Sequence, residues 1–186
     1  TTGSDNTALG YGAISANTTG AQNTAVGRSA LAQNTTADNC TAIGYLSLTA
    51  NTTGANNSAV GALSLDANTT GNSNNAFGYE ALSDNTTGDQ NCAFGHEALE
   101  DNTTADDNTA FGFRALRLNT TGANNTAMGS GALDALTTGN NNTSLGYNSN
   151  SSRTTGNDNV AVGAYCMNAA ATANNNTAVG KSAMHD

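Results

Sequence analysis

A chain of 186 residues that is 37% hydrophobic and 10% charged, with 21 Gly and neither Pro nor Trp, lacks the composition of an ordinary globular core. Its net charge of −9, with only five Lys and Arg spread along the chain, argues against a phosphate-backbone binder, which needs clustered basic side chains. No run approaches the roughly 18 apolar residues of a membrane-spanning helix, so no membrane insertion is expected.

Low hydrophobicity usually signals disorder, but disordered chains combine it with many charges and Pro, whereas here Asn, Thr, Ala and Gly recur in fixed order. Counted from Asn17, 17-residue units begin at 17, 34, 51, 68, 85, 102, 119, 136, 153 and 170, after one partial unit and without insertion or deletion. The chain opens in mid-pattern at Thr1-Thr2-Gly3 with no initiating Met and no basic-then-apolar leader, which suggests a processed product or a piece of something longer.

Within a unit, position 1 is Asn at Asn17, Asn34, Asn51, Asn68, Asn85, Asn102 and Asn119, and position 3 is Thr throughout. Asn-Thr-Thr-Gly reads as a turn. The same triplet is an N-glycosylation acceptor, joined by sequons such as Asn39, Asn56 and Asn150, and exposed turns would make these Asn accessible. Asn recurs at position 7 from Asn6 to Asn176, with Cys40 as the exception, and a column of this kind can exchange amide hydrogen bonds along a stack.

Positions 8 to 10 read as a short strand, with Ala at position 9 in every unit but the one carrying Ser144. Position 10 is always apolar, at Leu9, Val26, Ile43, Val60, Phe77, Phe94, Phe111, Met128, Leu145, Val162 and Val179, and is expected to form a core ladder. Gly at position 11, from Gly10 to Gly180, cuts the strand and supplies positive φ. A second strand and second core ladder are expected at the following Ala-Leu, where position 15 runs from Ile14 through Leu31 and Leu133 to Met184, interrupted by Asn150.

A helical-hairpin repeat needs at least about 30 residues, and Asn, Thr and Gly are poor helix formers. The predicted fold is therefore all-β: a parallel β-solenoid, or β-roll, of eleven 17-residue coils, one continuous array over 1–186 with uncapped ends at Thr1 and Asp186. Coils about 4.8 Å apart would give a rod about 50 Å long. Each coil holds about three sizeable apolar groups, at about 1.5 to 3 kcal/mol apiece, against a backbone entropy cost of about 1 to 2 kcal/mol per residue. Lateral partners are therefore expected, through the small Ala at positions 9 and 14, with a homotrimer as the natural arrangement and an end-to-end filament as the other.

The string Asn-Thr-Ala-apolar-Gly-x-x-Ala-Leu, seen over Asn23 to Leu31 and Asn125 to Leu133, resembles the head repeats of trimeric autotransporter adhesins. It is also similar to Asn-Thr-Thr-Gly repeats of fibre and spike proteins that carry an endosialidase-type chaperone. The resemblance implies a left-handed β-roll, three chains about one axis, and display at a cell or virion surface with glycans or a host receptor as partners.

No catalytic residues are expected, because a side chain repeated down a ladder is set by stacking. His96 and His185 lie about five coils apart, too far to share a metal or a triad. Cys40, Cys92 and Cys166 are three and then four coils apart, beyond the roughly 7 Å Cα limit of a disulfide within the chain; the odd count permits a bond between chains, but they read first as small buried replacements within Asn, Thr and Ala ladders. Glu80 lies under Glu97 and Asp84 under Asp101, either as weak Ca2+ ligands or as a solvated face relieved by Arg114. The expected function is a structural or adhesive segment of an extracellular or virion-surface fibre. The alternatives are an ice-binding Thr ladder and a carbohydrate-cleaving spike using those same paired carboxylates.

Overall fold

A computed structural model of the chain describes residues 2–168 and 172–185. The ends at Thr1 and Asp186, expected to be uncapped, lie outside the described residues. Every coil contributes one strand at positions 8 to 10: β1 Thr7–Leu9, β2 Thr24–Val26, β3 Thr41–Ile43, β4 Ser58–Val60, β5 Asn75–Phe77, β6 Cys92–Phe94, β7 Thr109–Phe111, β8 Thr126–Met128, β9 Thr143–Leu145, β10 Val160–Val162 and β11 Thr177–Val179. They form a single parallel sheet in sequence order. The register pairs each residue with its equivalent in the next coil, as in Thr24 with Thr41 and Val26 with Ile43.

The expected second strand is absent from the described residues. Its positions lie in a turn where residues 13 and 15 of the unit both take left-handed backbone, as at Glu97 (φ 55) and Leu99 (φ 55). Two such residues flanking one other cannot continue an extended chain. Position 6 is left-handed too, and is filled mostly by Asn and Asp, which tolerate it, as at Asn56 (φ 60) and Asp107 (φ 59). Gly at position 11 is required twice over: at Gly44 φ is 142, and an added Cβ would sit 2.3 Å from the carbonyl oxygen of Gly61 in the next coil.

The strand's alternation settles which side faces in. A strand points successive side chains to opposite faces, so only one of positions 9 and 10 can fill the coil. It is position 9: Ala25, Ala42, Ala59, Ala76, Ala93, Ala110 and Ala127 are fully buried. The position 10 column of Leu9, Val26, Ile43, Val60, Phe77, Phe94, Phe111, Met128, Leu145, Val162 and Val179 is not the core. It lies on the outer face, with Leu9 68% and Phe111 50% exposed. The Ala of positions 9 and 14 is likewise spent inside the chain's own coil, so it offers nothing to a lateral partner. The apolar core consists of these Ala with the position 15 column, Leu31, Leu48, Leu65, Leu82, Leu99, Leu116 and Leu133, all buried.

Two Asn columns complete the interior. At position 1 the amides exchange along the stack, Asn34 Nδ2 donating to Asn17 Oδ1 at 3.0 Å and Asn68 Nδ2 to Asn51 Oδ1 at 2.8 Å, while each also donates to the carbonyl three residues on, as Asn51 does to Gly54 at 2.9 Å. Position 7 works mainly through the backbone instead. Asn57 Nδ2 donates to Gly71 O at 2.7 Å, and its Oδ1 accepts the N–H of Asn74 at 2.8 Å. Buried polar groups are tolerated only when bonded, and these columns satisfy that condition in successive coils up to Asn119, whose Oδ1 has no partner.

Candidate functional site

The interior is filled, and no cavity or cleft is found among the described residues. What the molecule offers to others is therefore its surface, where the outward side of the sheet carries the position 10 column flanked by position 8, mostly Thr, and by position 12. In the middle coils this side becomes aromatic. Phe77, Phe94 and Phe111 stack at centroid separations of 4.4 and 5.0 Å with rings within 14° of parallel. Tyr79, His96 and Phe113 form a second column at 5.1 and 5.5 Å. Rings stacked along the axis turn their edges outward, so the face is a corrugated apolar strip rather than a set of flat platforms. It continues as exposed Leu9, Ile43, Met128, Leu145 and Val179, a longer apolar run than scattered surface residues produce.

The acidic residues occupy the neighbouring turn. Glu97 is held by Arg114, whose Nε lies 2.5 Å from Oε2, and its other oxygen is 3.2 Å from His96 Nδ1. The hydrogen bond from Arg114 keeps the Glu97 carboxyl below its ordinary range. Burial, helped by Asp84 and Glu80, pushes Asp66 up to about 6. Burial likewise raises Glu100 and Asp101, with neighbouring carboxylates adding to it. Asp134 pairs with Arg117 at 2.9 Å. Among the described residues no group of three or more His, Cys, Asp and Glu gathers where a metal ion could be held, and Arg114 partly neutralises the face that carries Glu97.

The sequons divide sharply. Asn34, Asn51, Asn68, Asn85, Asn102 and Asn119 are fully buried and Asn17 nearly so, contrary to the expectation of exposed turns; Asn150 is buried as well. The reason is the amide column, which turns position 1 inward. The sequons at position 6, Asn39 and Asn56 among them, are exposed. All three thiols are free: Cys40 and Cys166 are buried, but Cys92 sits at an outward strand position and is half-buried rather than interior. Cys40 takes the place of an Asn and keeps one of its bonds, its Sγ lying 3.3 Å from Gly54 O.

The outward orientation of position 10 was missed in the sequence, yet a signal was present. Neighbouring coils change from Val60 to Phe77 and from Phe111 to Met128. A close-packed interior in strict register does not absorb such volume steps, whereas position 15 holds Leu in seven consecutive coils from Leu31 to Leu133.

The fold defines this chain as a β-solenoid repeat protein. Comparison with family models, curated proteins and solved structures returns no match to any of them.

Proposed function

We propose that the protein is a structural or adhesive segment of an extracellular or virion-surface fibre, without enzymatic activity, that assembles with further copies of itself through the outward apolar column. The observation that carries this reading is the unbroken run of apolar side chains from Leu9 to Val179 on one face, repeating at the coil spacing. A surface that repeats about every 4.8 Å is matched in pitch by a second copy of the same rod. The resemblance to adhesin head repeats supports a three-fold arrangement. The stabilisation that a slender coil lacks alone would come from burying this face.

Sedimentation velocity tests the reading. The chain is expected to run as an oligomer of 18.5 kDa protomers, and a Phe94→Lys, Phe111→Lys double variant as a monomer with unchanged circular dichroism. A wild-type monomer at tens of micromolar overturns it.

A second reading, ice binding, draws on the position 3 Thr, which is exposed in every coil from Thr2 to Thr172. Its neighbour at position 2 is turned to other work, since Thr52 Oγ1 donates to Thr69 O at 3.0 Å and equivalent bonds run along the stack. One exposed Thr column makes a narrow face. Thermal hysteresis in solution would favour this reading over the fibre. Carbohydrate cleavage draws no comparable support: Glu97 of the pair with Glu80 is engaged by Arg114, and neither that pair nor Asp84 with Asp101 lies in a cleft found among the described residues.

A further inference from the structure

The hydrophobic core is not continuous along the rod. One buried cluster runs from Ala25 to Leu136 and a second from Ala161 to Ala178. Between them, from Asn142 through β9 to Arg153 at the start of the next unit, the buried side chains are all polar. Asn142 is where Asn is the rule, but Ser144 replaces Ala, Ser149 replaces Ala, Asn150 replaces Leu and Arg153 replaces Asn, and all five are buried. Earlier Ser substitutions at Ser47 and Ser64 leave Ala59, Leu48 and Leu65 in place around them, so the apolar column passes through.

The polar coil is incompletely bonded. Ser144 Oγ donates to Ser149 O at 2.8 Å and Arg153 Nε to Asn150 Oδ1 at 2.8 Å, and an Nη of Arg153 reaches Ala173 O. Asn150 Nδ2 and Arg153 Nη2 nevertheless remain buried without a partner. Asn119 Oδ1 is orphaned in the same way, because Leu136 stands where the next Asn would donate. A half-satisfied polar layer is worse than an apolar one, and a buried guanidinium away from carboxylates adds a desolvation cost. The backbone ladder itself runs through undisturbed, β8 to β9 and β9 to β10 in full register.

We infer that the β9 coil is a parting plane, at which the block carrying β10 and β11 opens as a unit from a rod that otherwise holds together. Stability in stacked repeats is a sum of unit and nearest-neighbour terms, so one weak interface separates two cooperative blocks. Opening there exposes the edge of β9 with its backbone groups in register for another strand.

Native-state hydrogen exchange on the 186-residue chain tests this. Amides of β10 and β11 are expected to exchange together, at least tenfold faster than those of β3 to β8, with a step at β9. Simple fraying would give a gradual fall, mirrored at β1 and β2. Equal protection of β8 and β10, or a matching gradient at both ends, overturns the inference. The variant Leu136→Asn, Ser144→Ala, Ser149→Ala, Asn150→Leu, Arg153→Asn restores the repeat and is expected to abolish the step. Should it fail to fold, Ser144→Ala is expected to reduce the step at least threefold. A step unchanged in the folded variant overturns the inference as well.

Discussion

Asn74 ties two coils together with one amide: its Oδ1 accepts the backbone N–H of Asn91 at 2.9 Å while its Nδ2 donates to Gly88 O at 2.7 Å. Removing it strands a buried donor and weakens the bonding of a buried acceptor, at about 1 to 3 kcal/mol for each group left unsatisfied. Asn74→Ala is therefore expected to lower stability by roughly 2 to 4 kcal/mol in chemical denaturation. Cys40→Asn runs the other way, completing the column and adding about 1 kcal/mol.

Leu99 and Phe94 provide the sharpest test of which side faces in. Leu99 is fully buried, so Leu99→Ala is expected to cost about 2 to 5 kcal/mol. Phe94 loses only its ring contacts with Phe77 and Phe111, and Phe94→Ala should cost the monomer under about 1.5 kcal/mol. The reverse order in urea melts would show that position 10 is core after all.

Stability is expected to rise on mild acidification. Asp66 is raised to about 6, so the folded chain binds its proton more tightly than the unfolded chain, where Asp titrates near 3.9. The strain of ionising it is fully present above pH 6 and relieved as pH falls toward 4. Glu100 and Asp101 act in the same sense. Glu97 opposes them, because its depressed pKa contributes stability that is lost as pH falls below the ordinary Glu range. Melting temperature should therefore peak in the mildly acidic range. Asp66→Asn should raise it at pH 7.5 by roughly 1 to 3 °C and leave it unchanged near pH 4; equal effects at both values would contradict the assignment.

Glycan attachment and folding compete at position 1. A sugar on Asn68 Nδ2 would displace the bonds to Asn51 and Gly71 and could not be housed in the interior. Folded material from a glycosylating secretory host is expected to carry sugar only at position 6, at sites such as Asn39 and Asn56. Peptide mapping that finds it on Asn68 in folded protein would refute this.

Much of the architecture was legible because repetition is itself physical information. The 17-residue period gave the coil, Gly at position 11 gave the break after the strand, and the run of Leu at position 15 from Leu31 to Leu133 gave half the core. What escaped depends on dihedral angles that composition does not disclose. Leu99 at φ 55 and Glu97 at φ 55 bend the Ala-Leu segment, which reads as a strand by residue type. With that segment curled, Ala93 turns inward and Phe94 outward. The buried sequons escaped for a related reason: Asn-Thr-Thr marks a turn, but a turn can still point its first side chain at the axis, as Asn85 does. The acidic face was better foreseen, since Arg114 one coil beyond Glu97 needed only the register.

The close approach of Gly44 to Gly61, repeated from coil to coil, means that the chain measures its own length in whole modules. Adding or deleting one 17-residue segment preserves every contact on either side of the cut, whereas shifting by a single residue would drive a Cβ into a neighbouring carbonyl. Duplication within the gene can thus lengthen or shorten the rod without inventing a new interface.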